Sequence, residues 1–186
     1  MNSPQTKAEI IIALEASRDF VTDTLAKLSD DQFYTAAVPG WCAADYLKHL
    51  ILSVKPTARV FEFPPEKLAE RFGMAERPSL TYTQLAEKYQ AALAMGIRAE
   101  DYPKVVPVNY NIPDDVQEER AYLVQTWQEA NNRLVAALST WSESNLDRYL
   151  IPHPALSETT AREMAFFTIH HNRLHGLDIQ KAGGVS

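Results

Sequence analysis

The feature that most constrains this chain is an apolar spacing of three and four residues that keeps returning along it. From Thr6 to Leu28, the residues Ile10, Ile11, Leu14, Phe20, Val21, Leu25 and Leu28 fall on the helical period. Thr6 and Glu9 make a T-x-x-E pattern at its start. The hydroxyl takes a free backbone N–H of the first turn, and the carboxylate reaches back to the N–H of the capping residue. "SDDQF" (29–33) closes the segment, and its S-x-x-Q spacing predicts a short extra turn. The Pro-Gly pair of "VPGW" is a turn. A second helix then starts near Cys42, with Leu47, Leu50, Ile51 and Val54 as its apolar stripe. Pro56 kinks that helix or ends its regular part, and "FPP" at 63–65 stops it.

The next stretch, "EKLAERFGMAERPSL", has mixed character. "TYTQLAEKYQAALAMGI" is helical again, with Thr81 and Gln84 as its capping pair, and it reads as an insertion packed outside a bundle. "AEDYPKVVPVNYNIPDD" carries prolines and no helical period, which predicts an extended connection. Asp114 and Asp115 are expected to open a long helix to about Leu138, with a core stripe of Val116, Tyr122, Leu123, Trp127, Ala130, Leu134 and Leu138. "STWSESNLDRYLIPHPALS" reads as a second irregular connection. A last helix begins near Thr160, capped with Glu163, and ends at the glycines of "KAGGVS". No β-hairpin is expected. The fold class is therefore all-α: four principal helices and one inserted helix, within the segment 63–112. The whole chain, 1–186, suits one domain with a sizeable core. Two long connections mean that the helices need not alternate up and down.

Composition removes several functions. The formal net charge is -6, and no run of Lys and Arg stands out. The basic footprint that nucleic acid requires is missing, and so is one for an anionic membrane surface. No apolar run approaches the roughly 20 residues of a spanning helix, and "MNSPQTKAEIIIALEASRDF" is not a signal peptide. The single cysteine, Cys42, allows no internal disulfide and fits a reducing cytoplasm. With six glycines and no Walker loop, G-x-G-x-x-G or G-x-S-x-G, a glycine-rich phosphate cradle is excluded.

Chemistry concentrates in "FFTIHHNRLHGLDIQ" (166–180), which holds three of the five histidines. On a helix, His171 and His175 lie about 40° apart and one turn apart, so both imidazoles can reach one cation; His170 points about 100° away. Met164, Thr168, His171, His175 and Asp178 share a stripe that faces the bundle core. Two buried imidazoles need partners for their polar nitrogens, and a shared metal satisfies both. His49, on the apolar stripe of the second helix, is the natural third ligand, although a lone helix histidine is more often a hydrogen-bonded core residue. Three imidazoles with an open position describe a catalytic metal site, which can take Zn, Ni, Fe or Cu. His153, between prolines in "IPHPAL", reads as a loop residue, with lining of the site mouth as the lesser alternative.

Asp178 is a candidate catalytic base, a fourth ligand or an outer acceptor for an imidazole N–H. It is equally open to being a solvated acid near the helix end. Asp45 and Glu163 are explained as helix caps, and Cys42 as a small packing residue at a helix start.

"PGWCAADYLKHL", followed much later by "AREMAFFTIHHNRLHGLDI", resembles the DinB-like (YfiT-like) four-helix-bundle superfamily, from the first helix to about Lys181. That resemblance implies an up-up-down-down bundle holding a divalent metal through His49, His171 and His175. The superfamily often continues its last histidine as H-R-G-Q. Here those positions are Gly176, Leu177 and Asp178, and Cys42 stands where a serine usually follows the tryptophan. Relatives of this kind include metal-dependent S-transferases and isomerases that use low-molecular-weight thiols. The expectation is a metal-dependent thiol S-transferase or hydrolase acting on a small molecule. The rival expectation is a non-enzymatic sensor or an interaction bundle that forms a homodimer through an apolar helix face.

Overall fold

The computed structural model describes residues 3–185. Its elements are α1 (Lys7–Ala26), α2 (Asp30–Tyr34), α3 (Ala43–Phe61), α4 (Pro65–Phe72), α5 (Tyr82–Ala94), α6 (Glu119–Ser139), α7 (Glu143–Arg148), β1 (Leu150–His153), β2 (Ser157–Thr160) and α8 (Ala161–Gly183). The expected capping boxes form at Thr6, Ser29, Thr81 and Thr160. In each, the hydroxyl accepts a first-turn N–H that would otherwise go unpaired.

The long helices α1, α3, α6 and α8 make the bundle. α1 and α3 each pack against both α6 and α8, so they sit diagonally. One buried cluster, with Ile10, Leu14, Leu47, Leu50, Leu123, Trp127 and Ile169 among its members, runs through all four. Each such side chain contributes about 1.5–3 kcal/mol relative to an exposed one. Among the described residues, no helix is long and apolar enough to cross a membrane.

Helix direction follows from contacts at the ends. Lys7 Nζ donates to the carbonyls of Ser139 and Trp141, so the start of α1 meets the end of α6 and the two run antiparallel. Arg162 Nη1 donates to the Gln5 carbonyl, while Gln32 Nε2 reaches the Gly183 carbonyl, so α8 runs parallel to α1. Lys48 pairs with Glu119 at one end, and Trp141 Nε1 donates to the Phe61 carbonyl at the other, so α3 and α6 are parallel. The order is up-down-down-up. The all-α bundle class stands, but its expected up-up-down-down sense is corrected. The turn between α1 and α3 reverses the chain, and the long connection falls between the two parallel helices, where a crossover is obligatory.

Three further expectations change. α6 begins at Glu119, not at Asp114 and Asp115. Those two acids lie exposed in a turn where the Val116 N–H donates to the Pro113 carbonyl, and Arg120 instead anchors the helix start on the Leu25 and Leu28 carbonyls. Of the two outcomes expected at Pro56, an end is excluded, because α3 continues through it to Phe61. The proline removes the N–H that the Leu52 carbonyl would have taken. A β-hairpin is present: β1 and β2 pair antiparallel from Leu150↔Thr160 to His153↔Ser157. Strands of four residues are too short to show alternation, and Pro152 masks the first of them.

The first turn of α8 carries a polar cluster. Arg162 binds Glu143 (2.7 Å) and Asp147 (2.6 Å). The fully buried Glu163 side chain accepts from Arg77, from the Leu80 N–H (2.6 Å) and from the Thr160 N–H (3.0 Å). Burial pushes the Glu163 carboxyl up, but the Arg77 guanidinium and the two backbone N–H groups outweigh it and hold its pKa below the usual range.

Candidate metal centre

The stripe that buries Leu47, Leu50 and Ile51 also turns His49 inward from α3, where it is 3% exposed. α8 presents His171, 4% exposed, and His175 one turn later. The three rings form a near-equilateral triangle, with centroids 4.9, 4.9 and 4.5 Å apart. One ligand atom from each lies within 4.8 Å of the others.

Two of the outer nitrogens are already engaged. His49 Nδ1–H donates to the Val105 carbonyl at 2.7 Å, and His175 Nδ1–H donates to Asp178 Oδ2 at 2.8 Å. These bonds fix the tautomers and leave both Nε2 lone pairs for the centre of the triangle. His49 Nε2 and His171 Nε2 lie 3.0 Å apart. Each ring also has its own aromatic support: Trp41 beside His49 (5.2 Å), Phe167 beside His171 (5.0 Å) and Tyr46 beside His175 (5.5 Å).

Burial is the first cause, and the neighbouring His175 the second, that lowers the pKa of His49 to about 4. The same two causes, with further histidines, hold His171 well below its ordinary value. Both imidazoles are therefore neutral at pH 7, the state a metal ligand needs. A proton can bridge one pair of nitrogens, whereas a cation engages all three lone pairs. In a tetrahedral zinc site, ligand nitrogens at 2.0–2.1 Å from the ion are about 3.3 Å apart, comparable to the 3.0 Å between His49 Nε2 and His171 Nε2. The residues present fit a divalent ion.

The triangle forms the floor of a cavity of about 540 Å³. Apolar side chains of α3 and α8 wall its lower part, among them Leu52, Val60, Met164 and Leu174. The upper wall comes from the two connections that the sequence left without a role. α5 and the 97–105 stretch supply Tyr89, Leu93 and Ile97, and the hairpin supplies Ile151 to Ala155.

A family model for the DinB superfamily matches residues 13–179. This chain belongs to the DinB superfamily. No curated protein and no solved structure matches it. The superfamily match spans His49, His171, His175 and Asp178, and in that frame the three-histidine group is compatible with a bound metal ion.

The departures from the superfamily pattern have structural reasons. Gly176 stands where arginine is common, and a Cβ there would lie 2.5 Å from Phe20 Cε1, so α1 packs against bare backbone. Asp178 sits on His175 Nδ1, which makes it an outer acceptor in this geometry. Asp45 accepts from the Cys42 N–H (3.3 Å) and Sγ (3.2 Å), as a cap does, and burial is the first cause that pushes the Cys42 thiol pKa up. His170 lies off the site and meets Gln90 Nε2 at 3.1 Å.

Sequence reasoning missed or ranked low three contributors. Val105 acts through its carbonyl, and a backbone acceptor leaves no mark in composition. Tyr46 was visible only as the residue one turn before His49. His153 lies on β1 rather than in a loop, and it lines the cavity, which was the lesser alternative for it.

Proposed function

We propose that this DinB superfamily member is a metal-dependent enzyme acting on a small molecule, as a thiol S-transferase or a hydrolase. The observation that carries this reading is the convergence of three imidazole nitrogens on the floor of a largely apolar cavity. His49, His171 and His175 would hold Zn, Ni or Fe. The bound ion would supply a Lewis acid that lowers the pKa of a thiol, such as a low-molecular-weight cofactor thiol, or of a water at the open position. The protein's own groups do the rest. Asp178 and the Val105 carbonyl orient two of the imidazoles, so Asp178 is a positioning residue. Tyr46, Trp41 and Phe167 brace the rings. The apolar walls exclude water and strengthen every electrostatic contact on the floor.

Elemental analysis of protein purified without a metal-affinity step tests the site. One equivalent of metal, absent from the His171→Ala, His175→Ala double variant, supports it; equal content in both removes it. Screening thiols with electrophiles, and esters or amides with water, with and without chelator, separates the two reactions.

The second reading, a non-enzymatic sensor or a homodimeric interaction bundle, draws on exposed apolar side chains such as Ile12 (64%) and Leu177 (57%). Sedimentation decides it: a strict monomer at high concentration ends the dimer. The lone thiol supports a cytoplasmic location.

A further inference from the structure

The cavity contains polar groups that the three-histidine floor does not use. His153 stacks on Phe167 at 4.1 Å, and Phe167 in turn meets His171 at 5.0 Å. One aromatic ring thus separates His153 from the floor. Tyr89 meets the same Phe167 edge-on at 5.1 Å. All of these residues line the cavity.

The protein itself fixes the state of His153. The Ala155 N–H donates to His153 Nδ1 at 3.2 Å, so that nitrogen carries a lone pair and the ring proton belongs to Nε2. Burial, and then the charge of Lys88, lower its pKa to about 4, so the ring stays neutral at pH 7. Burial likewise pushes the Tyr89 hydroxyl up to about 12, so it keeps its proton. Neither His153 Nε2 nor the Tyr89 hydroxyl has a hydrogen-bond partner among the described residues. Nor does either count among the buried polar atoms left unpaired, of which Tyr110 Oη is the one found. Both therefore keep contact with open space, and the cavity is the space that both residues border.

We propose that His153 Nε2–H binds a carbonyl oxygen of the substrate, remote from the reacting end. His153 can only donate from this nitrogen, so the ligand group it meets must be an acceptor. The substrate class is an apolar molecule that runs from the histidine floor toward the hairpin wall and carries a carbonyl on its far side. This inference rests on the reading of the cavity as a substrate site.

The test uses acetophenone and α-methylstyrene, which share a skeleton and differ in C=O against C=CH2. Affinities for the full chain are measured by NMR titration, before and after EDTA treatment. One neutral hydrogen bond corresponds to about a fivefold preference for the ketone. That preference should survive EDTA and disappear in His153→Phe, which keeps the stack on Phe167. It should also disappear in His153→Asn, whose amide oxygen can take the Ala155 N–H but offers no donor at the Nε2 position. It should return in His153→Gln, whose amide N–H replaces Nε2–H. α-Methylstyrene should bind all variants alike. Equal preference in His153→Phe and the unmodified chain overturns the His153 donor and leaves the cavity reading standing. Loss of the preference on EDTA treatment assigns the carbonyl to the metal and also overturns it. Failure of both probes to bind any form overturns the cavity reading and the His153 donor together.

Discussion

α8 carries two buried polar clusters, and they are built in opposite ways. At its first turn, Arg162 and Glu163 are closed on themselves: guanidinium meets carboxylate, and the remaining Glu163 capacity is filled by the Leu80 and Thr160 N–H groups. Further along, His171 and His175 meet His49 with ring nitrogens turned toward one another, while Phe167 braces His171 and the Nδ1 partners of His49 and His175 hold those two rings in place. A buried cluster with its charges and hydrogen bonds matched needs nothing more and ties the hairpin and α7 to the bundle. A buried cluster of converging imidazole nitrogens has room to share a cation, which the three-histidine group is compatible with. The difference between structure and function on this helix lies in who satisfies the polar atoms.

The most severe way to break the comparison is to remove the histidines. The His171→Ala, His175→Ala variant should lose its metal entirely, and chelation should lower the melting temperature of the unmodified chain but not of the variant. On the closed side, Glu163→Ala should cost about 3 kcal/mol in denaturant unfolding, because it strips a cap and leaves a buried N–H unpaired, yet metal content should not change.

Acid separates the clusters by pH. In metal-stripped protein the folded pKa of His49, about 4, lies below the ordinary 6.5, so the unfolded chain takes up the proton more readily between those values. The His49 contribution is complete above pH 6.5 and lost as the pH falls toward 4, about 3 kcal/mol in all. Glu163, with its lowered pKa, keeps its contribution down to the ordinary carboxylate value of 4.5 and loses it only below that. Stability followed against pH should therefore fall in two windows, and adding metal should reshape the upper one alone.

Asp178→Asn should weaken metal binding by about 10- to 100-fold, measured by competition with a chelator, with the fold unaltered. The smallest effect is expected from His171→Leu. In chelated protein it should leave stability within about 1 kcal/mol of the parent or raise it, because an apolar side chain of similar size replaces a buried polar ring.

Much of this contrast was legible in the sequence. T-x-x-E at Thr160 gave both the start of α8 and the capping role of Glu163, and the four-residue spacing put His171 and His175 on one face while sending His170 elsewhere. His49 followed from an inward stripe. The sense of the helices did not follow, because periodicity carries no direction. That information lies in end contacts such as Lys7 with Ser139 and Lys48 with Glu119, which join residues far apart in the chain. The start of α6 was misplaced for a related reason: acids that suit a helix N-terminus also suit a proline turn. The hairpin, the Val105 carbonyl and the cavity wall were unreadable, since they depend on backbone atoms and on loops folding over a site formed by others.

The parallel run of α3 and α6 has one more consequence. Chain must travel the length of the bundle between them, and that obligatory excursion is what roofs the cavity. The helices that carry the histidines and the excursion that roofs them meet at the candidate metal centre through the Val105 carbonyl and through Tyr89, whose ring faces His171. A protein engineer could redesign residues 97–112 to accept a different guest, keeping that carbonyl and leaving untouched the Arg77 and Leu80 contacts that the buried Glu163 needs.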